Sequence, residues 1–177
     1  MKKTIVVELY AGPGAGKSTS AALLFSQLKM AGINTEIVQE FVKDWAWENK
    51  AIQPHDQPII YAGQLQREAR LYGKTDVIVT DSPLHMNTAY CSEYEKETIR
   101  RLNHHLEMIY PEIERIQVFV KRSGAFDPLG RYHNEEQAKE LDNAIVGLLD
   151  PGYLTIKSGE VEPLVGYITR IVRARQT

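Results

Sequence analysis

Short apolar runs alternate along this chain with longer stretches whose apolar residues return every three or four positions. The first run, Ile5-Val6-Val7 with Leu9, is β-branched and apolar on both faces, which predicts a strand over residues 4–9 in the interior of a parallel sheet. Glu8 interrupts that run and needs a partner, through either a structural hydrogen bond at the strand end or a place in a site. Beyond a glycine-rich stretch, Ala21, Leu24, Phe25 and Leu28 fall at helical spacing, predicting a helix from Ser18 to Met30 that Gly32 closes. The same reading gives strands over Thr35–Val38, Asp76–Thr80, Ile116–Val120 and Tyr153–Ile156. Helices are predicted over Ile59–Tyr72, residues 93–110, a segment capped by Asn134 that runs to about Leu149, and Glu162–Arg175. Strands that alternate with helices in this way make an α/β domain with a five-stranded parallel sheet.

Length and charge narrow the picture. A chain of 177 residues, 43% of them apolar, suits one domain over residues 1–177 with an ordinary core. Cys91 is the single cysteine and has no partner at zinc spacing, so a reducing, intracellular setting is expected. Met1-Lys2-Lys3-Thr4 leads straight into a short strand, too short for a signal peptide or a membrane span, so a soluble cytoplasmic protein is expected. The net charge of −2 supplies no global field for nucleic acid and leaves only local basic patches.

Chemistry enters with Ala11-Gly12-Pro13-Gly14-Ala15-Gly16-Lys17-Ser18-Thr19, which sits between a strand and a helix as a phosphate-binding loop requires. In such a loop, glycines let consecutive backbone N–H groups turn onto a phosphate, and the following helix presents unpaired donors to the same anion. Lys17 would reach the β- and γ-phosphates of ATP, and Ser18 would ligate Mg²⁺. Ala11 stands where the usual pattern has its first glycine, and it is small enough for that position.

Other candidates follow from position. Asp81 ends an apolar strand before Ser82-Pro83, where a carboxylate stands beside the Mg²⁺ of a bound nucleotide; its structural alternative is an Asx turn. Glu40 and Asp44 lie just beyond the second strand, on the sheet edge that carries the phosphate loop, and Trp45 and Trp47 follow them as candidates for stacking on a base or for covering core. Gln64, Arg67 and Arg70 fall three apart on one helical face, which would bring them together toward a cleft or form a solvated stripe. Residues 122–133, with Gly, Pro and the cations Arg122 and Arg131, have the makeup of a lid over phosphates. His104 and His105 are adjacent, point to different sides and make a poor metal site.

The order of these parts covers most of the chain: phosphate loop, helix, strand with Glu40-x-x-Lys43-Asp44, helix with Gln64-x-x-Arg67, strand ending Asp81-Ser82-Pro83, and arginine-bearing lid. It resembles the small P-loop kinases of the nucleoside- and nucleotide-kinase type, which implies a three-layer P-loop NTPase sandwich. The wording from Glu8 through Thr19, with Thr80-Asp81-Ser82-Pro83-Leu84, looks most like a group of bacteriophage-encoded kinase or ATPase proteins. Members of related phage families phosphorylate the hydroxyl of 5-hydroxymethyluracil in DNA, and a phage origin would place the protein in the host cytoplasm.

The resemblance implies that Lys17 and Ser18 hold the phosphates and Mg²⁺, that Asp81 joins the metal site, and that Arg122 and Arg131 clamp from the lid. Glu40 falls where nucleoside kinases often hold a catalytic carboxylate, and Gln64 where a glutamine reads the base edge. The expected activity is transfer of the γ-phosphate of ATP to a hydroxyl of a nucleoside-like acceptor. The 5-hydroxymethyl group in modified DNA comes first, free nucleosides or nucleoside monophosphates next. A nucleotide-dependent switch ATPase is the alternative of another class, a non-enzymatic nucleotide-binding module ranks below it, and a homo-oligomer is left open.

Overall fold

The computed structural model describes residues 3–123 and 134–176. Five parallel strands, β1 (Thr4–Tyr10), β2 (Thr35–Val38), β3 (Val77–Thr80), β4 (Ile113–Lys121) and β5 (Leu154–Lys157), form one sheet in the order β2-β3-β1-β4-β5. Between them run α1 (Lys17–Met30), α2 (Lys43–Trp47), α3 (Gln57–Ala69), α4 (Glu93–Ile109) and α5 (Glu135–Val146), and α6 (Glu162–Ala174) follows β5. The alternation read from the sequence is therefore present in full. Among the described residues no helix is long and apolar enough to cross a membrane.

The pleat sends alternate residues of β1 to opposite layers. Ile5, Val7 and Leu9 pack with Leu24 and Leu28 of α1 and with Leu164, Ile168 and Val172 of α6, whereas Val6 joins Ile78 and Tyr72 on the other face. Register then sets the functional edge. Glu8 pairs with Thr80, and Thr80 with Val38, so β3 and β2 end level with each other, while β1 runs on beside β4 through Tyr10 into the phosphate loop. The phosphate loop, Asp81 and Glu40 thus share the carboxyl edge of the sheet, at the point where chain order reverses around β1.

β4 starts three residues before the apolar run that betrays it, because Ile113, Glu114 and Arg115 pair with Thr4, Ile5 and Val6. Arg115 explains how a charge is held there. Its Nη1 donates to Glu8 Oε1 at 2.6 Å and its Nη2 to Glu68 Oε1 at 3.1 Å, while the Tyr10 hydroxyl donates to Glu8 Oε2 at 2.9 Å and the Tyr72 hydroxyl to Glu68 Oε1 at 2.5 Å. Of the two roles open to Glu8, the structural one is filled.

Two fully buried carboxylates share one guanidinium, and Glu68 Oε2 is buried with no hydrogen-bond partner among the described residues. Burial pushes the Glu68 carboxyl above its ordinary 4.5, against the pull of Arg115. A raised value means that the folded state keeps a proton the unfolded chain has lost. This contribution to stability is full below the ordinary value and declines as pH rises through the folded one. Glu68→Gln should therefore gain on the wild type in thermal stability as pH is raised above the ordinary carboxyl value of 4.5. Melting curves that stay a constant distance apart over that range, or diverge in the opposite sense, would exclude ionisation of Glu68 as the cause.

Candidate functional site

The phosphate loop takes its shape from glycines that have no substitute. Gly14 and Gly16 adopt φ values of 77° and 88°, in the left-handed region, and a Cβ on Gly16 would also strike the Ser158 hydroxyl. Gly16 leads into α1, which has neither a side-chain cap nor an acidic residue in its first turn, so its first N–H donors stay available to an anion. Pro13, Gly14, Gly16, Lys17, Ser18 and Thr19 form one end of a cavity of about 460 Å³. Gly12 and Ala15 stand behind that wall: both are buried, and Ala15 belongs to the core under α1.

Lys17 Nζ donates to the carbonyls of Ala11 at 2.6 Å and Gly12 at 3.2 Å, so its ammonium lies across the loop. The Ser18 hydroxyl donates to Asp81 Oδ2 at 2.5 Å, and Asp81 Oδ1 is buried with no hydrogen-bond partner among the described residues. A hydroxyl beside a carboxylate with an orphaned oxygen is the hard oxygen pair that Mg²⁺ prefers, so these two residues fit the ion.

The far end of the cavity is mainly apolar, with Val42, Ala46, Trp47, Ile52, Ile60 and Met86. Glu40, Lys43, Gln57, Asn87 and Tyr90 add polar groups to it. The Tyr90 phenol is held above its usual range by burial and, next, by the negative charge of Glu40, so it stays neutral beside that carboxylate. Gln57, Met86, Asn87 and Tyr90 have no counterpart in the sequence reading. They come from the start of α3 and from the turn after Asp81, segments without a chemical motif.

Several expected groups stand elsewhere. Asp44 is 69% exposed and pairs with Arg67 at 3.4 Å, off the cavity wall. Of the two tryptophans, Trp47 lines the cavity, whereas Trp45 sits edge-on to Phe41 with the Lys50 ammonium 3.1 Å from its ring centre. Gln64 is 1% exposed and its Oε1 accepts the Phe41 N–H at 2.8 Å; Arg67 donates to the carbonyls of Gln39 at 3.4 Å and Glu40 at 3.2 Å. Helical spacing did bring Gln64 and Arg67 to one face, but that face holds the β2–α2 segment in place instead of forming cavity wall.

If the acceptor were a base in DNA, Lys43, Arg67, Arg70, Arg100 and Arg101 would be the cations to meet its strand, and they are divided between different parts of the surface. Lys43 lines the cavity, while Arg100 and Arg101 stand with His104 and His105 along a groove on exposed α4. Arg122 leaves β4 and turns to the phosphate loop, donating to the Pro13 carbonyl at 2.8 Å and to Asp142 at 3.0 Å. Arg131 and the lid segment 124–133 lie outside the described residues. Cys91 is half-buried against the cluster of Tyr61 and Leu84, and burial pushes its thiol up to about 11, away from nucleophilic use.

Comparison with known proteins agrees with this geometry. A family model described as an AAA domain matches residues 7–161. No curated protein matches the chain. Among solved structures, that of APE1195 is 20% identical, with 98% of this chain and 97% of that chain covered and a TM-score of 0.51. A thymidylate kinase from Candida albicans is 13% identical, with coverages of 99% and 92% and a TM-score of 0.58. At these identities the two structures speak for the fold alone, a five-stranded parallel P-loop sheet with helices on both faces.

Proposed function

The chain belongs to the AAA domain family, and from that premise we propose that it is an ATP- and Mg²⁺-dependent kinase acting on a hydroxyl of a nucleoside-like compound. The observation that carries the reading is one cavity with the phosphate loop at one end and Glu40, Trp47 and an apolar wall at the other. A switch ATPase needs the first end; the second is the shape of an acceptor site.

On this reading the loop N–H groups and Lys17 bind the β- and γ-phosphates, and Ser18 with Asp81 hold Mg²⁺, which supplies charge neutralisation at the phosphates when bound. Trp47 offers a flat face to the acceptor's ring, and Glu40 takes the proton of its hydroxyl. The acceptor oxygen forms a bond to the γ-phosphorus as the bond from phosphorus to the ADP oxygen breaks, and ADP departs with that electron pair. The polar side chains around the acceptor hold it in line; the apolar wall excludes water that would otherwise compete.

The resemblance to phage kinases supports a finer acceptor, the 5-hydroxymethyl group of 5-hydroxymethyluracil in DNA. Against it stands the arrangement of cations, because Arg67 is engaged with the β2–α2 segment and Arg100 and Arg101 lie along α4. A free nucleoside-like acceptor is the better match.

Labelled ATP with Mg²⁺, offered to free nucleosides, nucleoside monophosphates and duplex DNA containing 5-hydroxymethyluracil, separates these readings. Transfer to a free nucleoside, little affected by salt, is expected. Transfer to the DNA that falls steeply with salt would move the acceptor to DNA. Phosphate release with no labelled acceptor of any kind would replace the kinase with the switch ATPase.

A further inference from the structure

The phosphate loop is gripped from outside by a residue of α5. Ala138 and Asp142 lie one turn apart on the same face of that helix, and Ala138 is fully buried. A Cβ at position 12 would run into the Ala138 carbonyl, so the meeting of Gly12 with a small helical residue is what lets α5 approach the loop. At that approach the Gly12 N–H donates to Asp142 Oδ1 at 2.5 Å. The other oxygen, Oδ2, accepts from Arg122 Nη2 at 3.0 Å, and Arg122 Nη1 donates at 2.8 Å to the carbonyl of Pro13. Both charged side chains are largely buried, 14% exposed for Arg122 and 19% for Asp142. One carboxylate therefore fixes two successive loop residues, Gly12 directly and Pro13 through Arg122.

We infer that Asp142 is a positioning residue of the nucleotide site, which holds Gly12 and Pro13 in the conformation that receives phosphate. The inference rests on the assignment of residues 11–19 as that site. An unbound Gly12 N–H would let the entry to the loop rotate, and the cost of re-ordering it would fall on nucleotide binding. The essential property is the acceptor oxygen facing Gly12. The negative charge serves to balance Arg122, whose Nε is buried with no hydrogen-bond partner among the described residues.

Because alanine at position 142 would strand the buried Arg122 charge and endanger folding, the test is made in an Arg122→Met background, where neither the alanine nor the asparagine protein leaves a partner's charge uncompensated. Affinity for a fluorescent N-methylanthraniloyl-ADP with Mg²⁺ is measured for the wild type, Arg122→Met, Arg122→Met/Asp142→Ala and Arg122→Met/Asp142→Asn, with circular dichroism and melting as controls for folding. Loss of one hydrogen bond of this kind should make binding about tenfold weaker in the alanine protein than in the equally uncharged asparagine protein, which keeps an acceptor oxygen. A purely structural role would lower the melting temperature and leave affinity of the folded protein unchanged. Equal affinities for the alanine and asparagine proteins, with a tight wild type, overturn the role of Asp142 and leave the nucleotide site standing. A wild type that binds no nucleotide overturns the site, and this inference with it.

Discussion

Lys17→Ala is expected to abolish most phosphoryl transfer while leaving a folded protein. Lys17 belongs to no apolar cluster, and its ammonium is held by the carbonyls of Ala11 and Gly12, at 2.6 and 3.2 Å, on the loop itself. A cation fixed across the loop needs no reorganisation when negative charge builds up on the oxygen that bridges the β- and γ-phosphorus atoms, and such preorganised charge is the largest single contribution to transfer. Its removal should lower kcat by at least about 10²–10³, the scale seen when one preorganised donor to a developing charge is deleted. ATP affinity should fall as well, because on the proposed reading the same ammonium would contact the ground-state phosphates. The measurement is initial rate against Mg²⁺-ATP, with melting temperature as the control for folding. Turnover at the wild-type level in a folded Lys17→Ala protein would remove the phosphate-loop reading and everything built on it.

What was legible in the sequence is what chain-local physics determines. The first strand, the glycine loop and α1 form one continuous stretch whose periodicity and turn chemistry need no distant partner, and Asp81 stands at the end of an uninterrupted apolar strand. The sheet followed because its central runs, β1 and β3, are buried on both faces. The opening of β4 escaped notice because Glu114 and Arg115 do not look like strand interior; Arg115 is tolerated there only because Glu8 and Glu68 reach it from β1 and α3.

α2 was missed for another reason. At five residues it is too short for periodicity to register. The acceptor wall depends on where the turn after Asp81 and the start of α3 meet. Gly12 and Asp142 are 130 residues apart, a distance across which no spacing rule speaks. Gln64 and Arg67 illustrate the opposite limit. Their shared face was read correctly from i, i+3 spacing, but what that face meets is settled by the path of the β2–α2 segment.

Glu40→Gln carries the second large expected effect, and it decides between the two carboxylates that follow β2. Glu40 lines the cavity, half-buried, and its charge acts on the phenol of Tyr90 across from it. Asp44, the second residue of α2, is turned to solvent and to Arg67. A proton acceptor has to come within hydrogen-bond reach of the hydroxyl it serves, and Glu40 is the one of the two on the wall. Glutamine keeps the size of the side chain and one acceptor oxygen but cannot take up a proton. Glu40→Gln should therefore lower kcat by about 10²–10⁴ with little change in affinity for ATP. Asp44→Asn removes an exposed ion pair of the sort worth about 0.2–1 kcal/mol, so its rate should stay within about fivefold of the wild type. Rates for both variants, at saturating ATP and acceptor, are the measurement. A large loss confined to Asp44→Asn would transfer the base to Asp44. Small, equal losses in both would mean that the acceptor's proton leaves without help from either carboxylate, and that the site works by alignment and charge at the phosphates alone.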